Sequence, residues 1–95
     1  MYTACFEVVL HIPCAGSLKE RRSVVRSLKE RIRNRFNVSV IECSEDNKWQ
    51  KAQLGFALAA VSASAALQSK QDIIAFISED GRADIIDTVI YGEDT

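Results

Sequence analysis

Along Tyr2–Ile12, Ala4, Phe6, Val8, Leu10 and Ile12 fall on one parity, and Cys5, Glu7, Val9 and His11 on the other. A period of two marks a strand with one face in a core. Pro13 has no N–H for a sheet ladder and ends the run; Cys14-Ala15-Gly16 is a short connection. From Ser17 the period changes. Ser17 reads as a helix N-cap, and Glu20 completes an S-x-x-E capping box in which each side chain satisfies the other residue's backbone N–H. At ~100° per residue, Leu18, Val25, Leu28 and Ile32 form an apolar stripe with Val24 at its edge. Arg21 projects near the middle of that stripe. It sits in the first turn, so it is expected to escape at the rim. The helix is expected to end over Asn34–Asn37, with Phe36 closing its base.

Val38–Cys43 alternates again and predicts a second strand, followed by a polar loop over Ser44–Lys48. Trp49–Ser62 is read as holding a third strand. Leu54, Phe56, Leu58 and Ala60 share one parity; Gln53, Gly55, Ala57, Ala59 and Val61 share the other. The alanine content of this run favours helix, but its alternating large residues and Gly55 favour strand. A second helix is expected from Ser62 or Ser64 to about Glu79, with Ala63, Ala66, Leu67, Ile74 and Ile77 on one face. Lys70 intrudes on that face and Phe76 falls off it. Asp80-Gly81 supplies the stop, since glycine takes the left-handed cap at no steric cost. Ala83–Tyr91 is rich in β-branched residues and reads as the last strand, ahead of a short tail. The order βαββαβ predicts an α+β, ferredoxin-like sandwich, a four-stranded antiparallel sheet with two helices on one face. Right-handed crossovers put the first and third strands in the centre.

The chain has 95 residues, 47% of them hydrophobic, and lacks Pro-, Gly- or Ser-rich linkers, so a single domain over residues 1–95 is expected. The N-terminus enters the first strand without a leader-like apolar run, and Leu54–Val61 is far short of the ~20 residues of a membrane span. A soluble, cytoplasmic protein with no membrane partner is expected. The net charge of −1 hides an asymmetry. Lys19, Arg21, Arg22, Arg26, Lys29, Arg31, Arg33 and Arg35 all lie in the first helix, against only Glu20 and Glu30. Acids dominate from Asp72 onward. A basic element on an otherwise acidic domain points to a local anionic partner. Lys19, Arg22, Arg26, Lys29 and Arg33 cover an arc of about 80° beside the apolar stripe and span about 21 Å of helix. They are the candidate surface for RNA or another anionic partner. The competing reading is a solvated face whose arginine stems cover apolar surface.

The sheet face away from the helices is too apolar for a wet surface. Cys5, Val9, Ile41, Ala57 and Ala59, with Trp49 at its margin, are expected to form an interface in a homo-oligomer, a dimer or higher. The central strands lack the aromatics with which RNA-recognition motifs stack bases on this fold. Catalysis finds little support. Glu7 and His11 share a face but stand about 13 Å apart, beyond hydrogen-bond reach. Cys5, Cys14 and Cys43 match no zinc or iron–sulfur spacing, and an odd count suits reduced thiols. Gly55 and Gly81 are isolated, so there is no phosphate-cradling loop. A non-enzymatic protein is expected, with no cofactor, metal site or small-molecule substrate.

Four pieces carry a family resemblance: His11-Ile12-Pro13, Ser17-Leu18-Lys19-Glu20, Arg35-Phe36-Asn37-Val38-Ser39-Val40, and Trp49 before the third strand. Over nearly the whole chain the sequence resembles the YlxP-like family of small bacterial proteins of unassigned function. Arg21-Arg22 stands where a Lys-Arg pair is usual, and Asn47-Lys48 where an acidic-aliphatic pair is. The resemblance implies a ferredoxin-like fold and no catalytic residues. Genes of this family often sit among translation-factor and ribosome-maturation genes, which implies a role near the ribosome. The combined expectation is a non-catalytic accessory factor, with ribosomal RNA or a ribosomal subunit as partner. The alternative is a homo-oligomeric interaction or regulatory subunit without nucleic-acid binding.

Overall fold

A computed structural model describes residues 1–13, 15–44 and 50–91. Its elements are β1 (Tyr2–His11), α1 (Leu18–Arg35), β2 (Ser39–Glu42), β3 (Lys51–Ala60), α2 (Ala63–Asp80) and β4 (Asp84–Tyr91). The sheet order is β2-β3-β1-β4 and every pairing is antiparallel, so the first and third strands are central as expected. β1 alternates in burial along its length, and Ala4, Phe6, Val8 and Leu10 point into the layer between sheet and helices. β3 answers in register: Phe6 pairs with Phe56, and their rings stack 4.9 Å apart. The alanine-rich run is a strand because Leu54, Phe56 and Leu58 then share the core face with β1. Burying such a side chain contributes about 1.5–3 kcal/mol, more than the few tenths by which alanine favours helix. The register slips once between β1 and β4, where Val9 pairs with Asp87 but Leu10 with Ile85. The extra residue is Ile86, and it is 59% exposed. A bulge of this kind twists an edge strand away from further pairing.

The helix ends follow the sequence with one change. Ser17 Oγ accepts from the Glu20 N–H at 3.2 Å. The Glu20 carboxylate, however, accepts from the Gly16 N–H at 3.2 Å, one residue before the position expected of a capping box. A Cβ at Gly16 would lie 3.3 Å from that carboxylate, which would have to give by a few tenths of an ångström. Ser62 caps α2 by accepting from the Ala65 N–H, and Gly81 closes it in the left-handed conformation at φ 83°. α1 ends on Phe36, which packs edge-to-face against Phe76 of α2 at 5.7 Å. Phe76 thus turns its ring toward α1.

Two core expectations need correction. Arg21 does not escape at the rim: it is 5% exposed, on the same buried stripe as Val25, Leu28 and Ile32. Its guanidinium donates to Glu42 of the edge strand β2 at 2.5 Å, while its Nε has no partner among the described residues. The edge position explains this, since Glu42 stays close to water while receiving the buried cation. On α2 the buried stripe is Ala66, Lys70, Ile73 and Ile77. Ile73 replaces Ala63 and Leu67, which are exposed, and Ile74 is half-buried. The stripe faces β1 and β3, one position around from the expected face.

The two helices are tied together by Asp80, at the end of α2. Its side chain is 1% exposed and accepts from Arg82 at 2.6 and 2.9 Å and from Arg31 of α1. Arg82 also donates to Ser27 of α1 at 3.0 Å. The Arg82 hydrogen bonds hold the Asp80 carboxyl below its ordinary value of 3.8, against the opposing effect of burial. A lowered folded-state pKa adds stability above the unfolded value and loses it as pH falls through the folded one. Asp80→Asn is therefore expected to cost about 2 kcal/mol at pH 7. Its urea midpoint should fall less than the wild type's as pH drops below about 4, because the titrating group is gone. For the buried pair, Glu42→Ala should cost about 3 kcal/mol by stranding the Arg21 cation, whereas Arg21→Met should lie within about 1 kcal/mol of wild type. Thermal melts of both variants check the contrast.

Candidate functional site

The eight cations of α1 divide by what they touch. Arg21 is neutralised by Glu42 and Arg31 by Asp80. Arg33 donates to the Val40 carbonyl of β2 at 2.9 Å. Arg35 lies over the rings of Phe36 and Phe76 at 5.8 and 5.5 Å, and Arg31 over Phe76 at 5.1 Å. These four arginines pin the flanks of the helix to β2 and to α2. Lys19, Arg22, Arg26 and Lys29 make no ion pair or hydrogen bond among the described residues. The first three are exposed and Lys29 is half-exposed. The expected five-residue stripe is thus four residues that are free to meet a partner and one, Arg33, that is already engaged with the backbone. Lys19, Arg22 and Arg26 line a shallow groove with Ser23, Ser27 and Glu30, the one carboxylate in it. A groove with three cations, two hydroxyls and one acid attracts anions.

The open sheet face is the second candidate. Read across the sheet from β2 to β4, its rows are Ser39-Ala57-Cys5-Tyr91 and Ile41-Gly55-Glu7-Val89. Next come Gln53-Val9-Asp87, with Cys43 donating its N–H to the Gln53 carbonyl, and then Lys51-His11-Asp84. The expected interface residues Cys5, Val9, Ile41, Ala57 and Ala59 all lie on this face; Trp49 falls outside the described residues. Ile41 is 61% exposed, and Ala57 and Ala59 are exposed. Val61 lies beyond the end of β3.

Strand parity alone does not show the polar cluster at the centre of this face. Gly55 has no side chain, and Ile41 Cγ1, Cys43 Sγ and Glu7 Cγ converge on the space above it, 3.3, 3.5 and 3.8 Å from where a Cβ would sit. Glu7 accepts from the Gln53 amide, and this bond, aided by Tyr91 and Cys43, holds its carboxyl below the ordinary range although burial opposes the shift. Burial first, and the Glu7 charge second, push the Cys43 thiol up to about 11. Such a thiol is protonated near neutrality and is a poor nucleophile. Glu7, Cys43, Ser44, Lys51, Gln53 and Tyr91 line a hollow here. Among the described residues no group of three or more His, Cys, Asp or Glu is arranged to hold a metal ion. No helix among the described residues is long and apolar enough to cross a membrane.

Residues 3–90 match the model of the family described as "Protein of unknown function (DUF503)". The chain belongs to this family. It is 43% identical over 65 residues to the Bacillus subtilis (strain 168) protein named "Uncharacterized protein YlxP", covering 66% of this chain and 68% of that one. The YlxP-like resemblance read from the short motifs is therefore correct. The fold is similar to the solution NMR structure of a de novo designed protein with a ferredoxin fold, with a TM-score of 0.66 and 17% identity over 98% of this chain and 88% of that one. That likeness shows the ferredoxin-like fold alone, because function resides in sites and not in folds.

The Cys43 environment gives a direct check on the sheet face. Glu7→Gln removes the charge that opposes the thiolate and leaves the burial, so the Cys43 pKa should fall only part of the way to 9.0. Alkylation of Cys43 by iodoacetamide at pH 8, followed by peptide mass spectrometry, should speed up several-fold, at most about 100-fold if the whole shift were released. An unchanged rate would mean that Glu7 does not touch the thiol.

Proposed function

We propose that this chain is a non-catalytic, cytoplasmic binding module whose α1 outer face engages an RNA backbone, with ribosomal RNA or a ribosomal subunit as its target. One observation carries the reading. The four α1 cations without a structural partner among the described residues lie on one face, while the other four are consumed in packing. Lys19, Arg22, Arg26 and Lys29 rise along the helix in steps of about 4.5, 6.0 and 4.5 Å, about 15 Å in all. A short row of evenly spaced cations suits a repeating phosphate backbone, which is met by charge without base contacts. A protein partner is less well suited, since protein interfaces concentrate their energy in aromatic or apolar anchors at the centre. This row has none, and its groove offers only Ser23 and Ser27 between the cations. The protonated Cys43 thiol and the distance between Glu7 and His11 support a role without catalysis.

Salt dependence tests the reading. Four phosphate contacts predict a slope of log K against log salt of about −3.6 on a duplex and about −2.8 on a single strand. Including Arg33 would steepen the duplex value to about −4.5. Fluorescence anisotropy on short duplex and single-stranded RNA measures the slope, and co-sedimentation with ribosomal subunits measures the target. Arg22→Glu with Arg26→Glu and Lys29→Glu should abolish binding and leave the melting temperature nearly unchanged, since none of the three holds the fold. If wild-type protein binds neither RNA nor subunits at low salt, the proposal fails.

A further inference from the structure

We propose that the open face of the sheet is covered by a second copy of this chain, packed face to face about a two-fold axis that runs along the strands between β3 and β1. The first argument is composition. Around the Glu7–Gln53 pair at its centre this face carries small or apolar groups, with Ala57, Ala59, Cys5 and Gly55 on the central strands and Ile41, 61% exposed, on the edge. The second is area. Strands of ten, ten, eight and four residues, at about 3.3 Å per residue and 4.8 Å per strand, tile on the order of 500 Å² per copy. A pair buries about 1,000 Å² by this planar measure, and more once side-chain relief is counted, which reaches the lower bound for a specific interface.

The third argument is self-complementarity. A two-fold axis along the strands sets each row of the sheet against the same row of the second copy, reversed. Ile41 then meets the second copy's Val89, and Ala57 meets its Cys5. The Gly55 position meets its Glu7, whose carboxylate already accepts from Gln53 and so enters the interface with a hydrogen-bond partner. At the polar end, Lys51 meets the second copy's His11 and comes beside its Asp84 and Asp87. Lys51 thus comes beside two carboxylates of the second copy, and the apolar Ile41 and Ala57 face Val89 and Cys5. Aligned packing of this kind, at about −30° and ~10 Å, is how twisted sheets stack.

Sedimentation equilibrium of the intact chain tests the inference, with a dimer expected at micromolar protein. Ala57→Arg places a long cation on an exposed position of the face and should give a monomer with an unchanged circular-dichroism spectrum; Ile41→Lys, also at an exposed position, serves if the first variant fails to fold. Lys51→Glu should weaken self-association tenfold or more, and mixing it with Asp87→Lys chains should restore a mixed dimer. A monomer at every concentration overturns the inference, and so does a dimer indifferent to both Ala57→Arg and Ile41→Lys. If the wild type stays monomeric and Ala57→Arg abolishes RNA binding, the face belongs to RNA and the inference also falls. The α1 charge reversals leave the sheet face untouched, so failure of the RNA reading and failure of this one are separate results.

Discussion

The structure depends on one constraint. α1 must bury a face on the sheet while carrying eight cations, and a cation taken out of water needs a partner. The chain meets this from three directions. β2 supplies Glu42 to Arg21 and the Val40 carbonyl to Arg33. The end of α2 supplies Asp80 to Arg31. The Phe36–Phe76 pair supplies π-faces to Arg31 and Arg35. Each contact lies at the edge of the buried face, where a guanidinium gains a hydrogen bond or a ring while its stem covers apolar surface. Helix placement and charge neutralisation are thus one problem with one solution. The cations left over are those that the packing does not need.

This division separates what could be read from the sequence from what could not. The alternation in Tyr2–His11 and the large residues of Lys51–Ala60 announced the two central strands, because core burial and strand period coincide there. Ser17, Ser62 and Gly81 announced the helix ends, because each acts on backbone groups within a few residues. Arg21 could not be read correctly from the sequence. Its partner Glu42 is 21 residues away and enters only when β2 pairs with β3. Asp80 was hidden for the same reason, since it lies 49 residues from Arg31. The stripe on α2 was misplaced by one position because Lys70 lies within it and masks the period.

The sheet face teaches a related lesson. Parity assigned Cys5, Val9, Ile41, Ala57 and Ala59 to one side, but parity says nothing about lateral neighbours. The Glu7–Gln53–Cys43 cluster needs the register of three strands, with Gly55 opposite Glu7 and Ile41 opposite Gly55. Gly55 is the one residue in that set whose signal was available beforehand: an isolated glycine within a strand marks a close approach. What approaches is side chains from both neighbouring strands, and these put a charged group at the centre of the face.

The two candidate surfaces lie on opposite sides of the molecule, and that arrangement limits what they can do together. α1 covers one side of the sheet, and its free cations point away from it. In a face-to-face dimer, two sheets about 10 Å apart, each backed by a helix about 10 Å across, set the two basic rows on the order of 40 Å apart and facing outward. One short duplex cannot touch both rows. Avidity then requires an RNA that wraps or folds around the dimer, or two separate segments, and a linker too short to span the sites adds nothing. A structured RNA with two exposed backbones at that spacing is therefore the geometry on which dimerisation would raise affinity, and a short isolated helix is the one on which it would not.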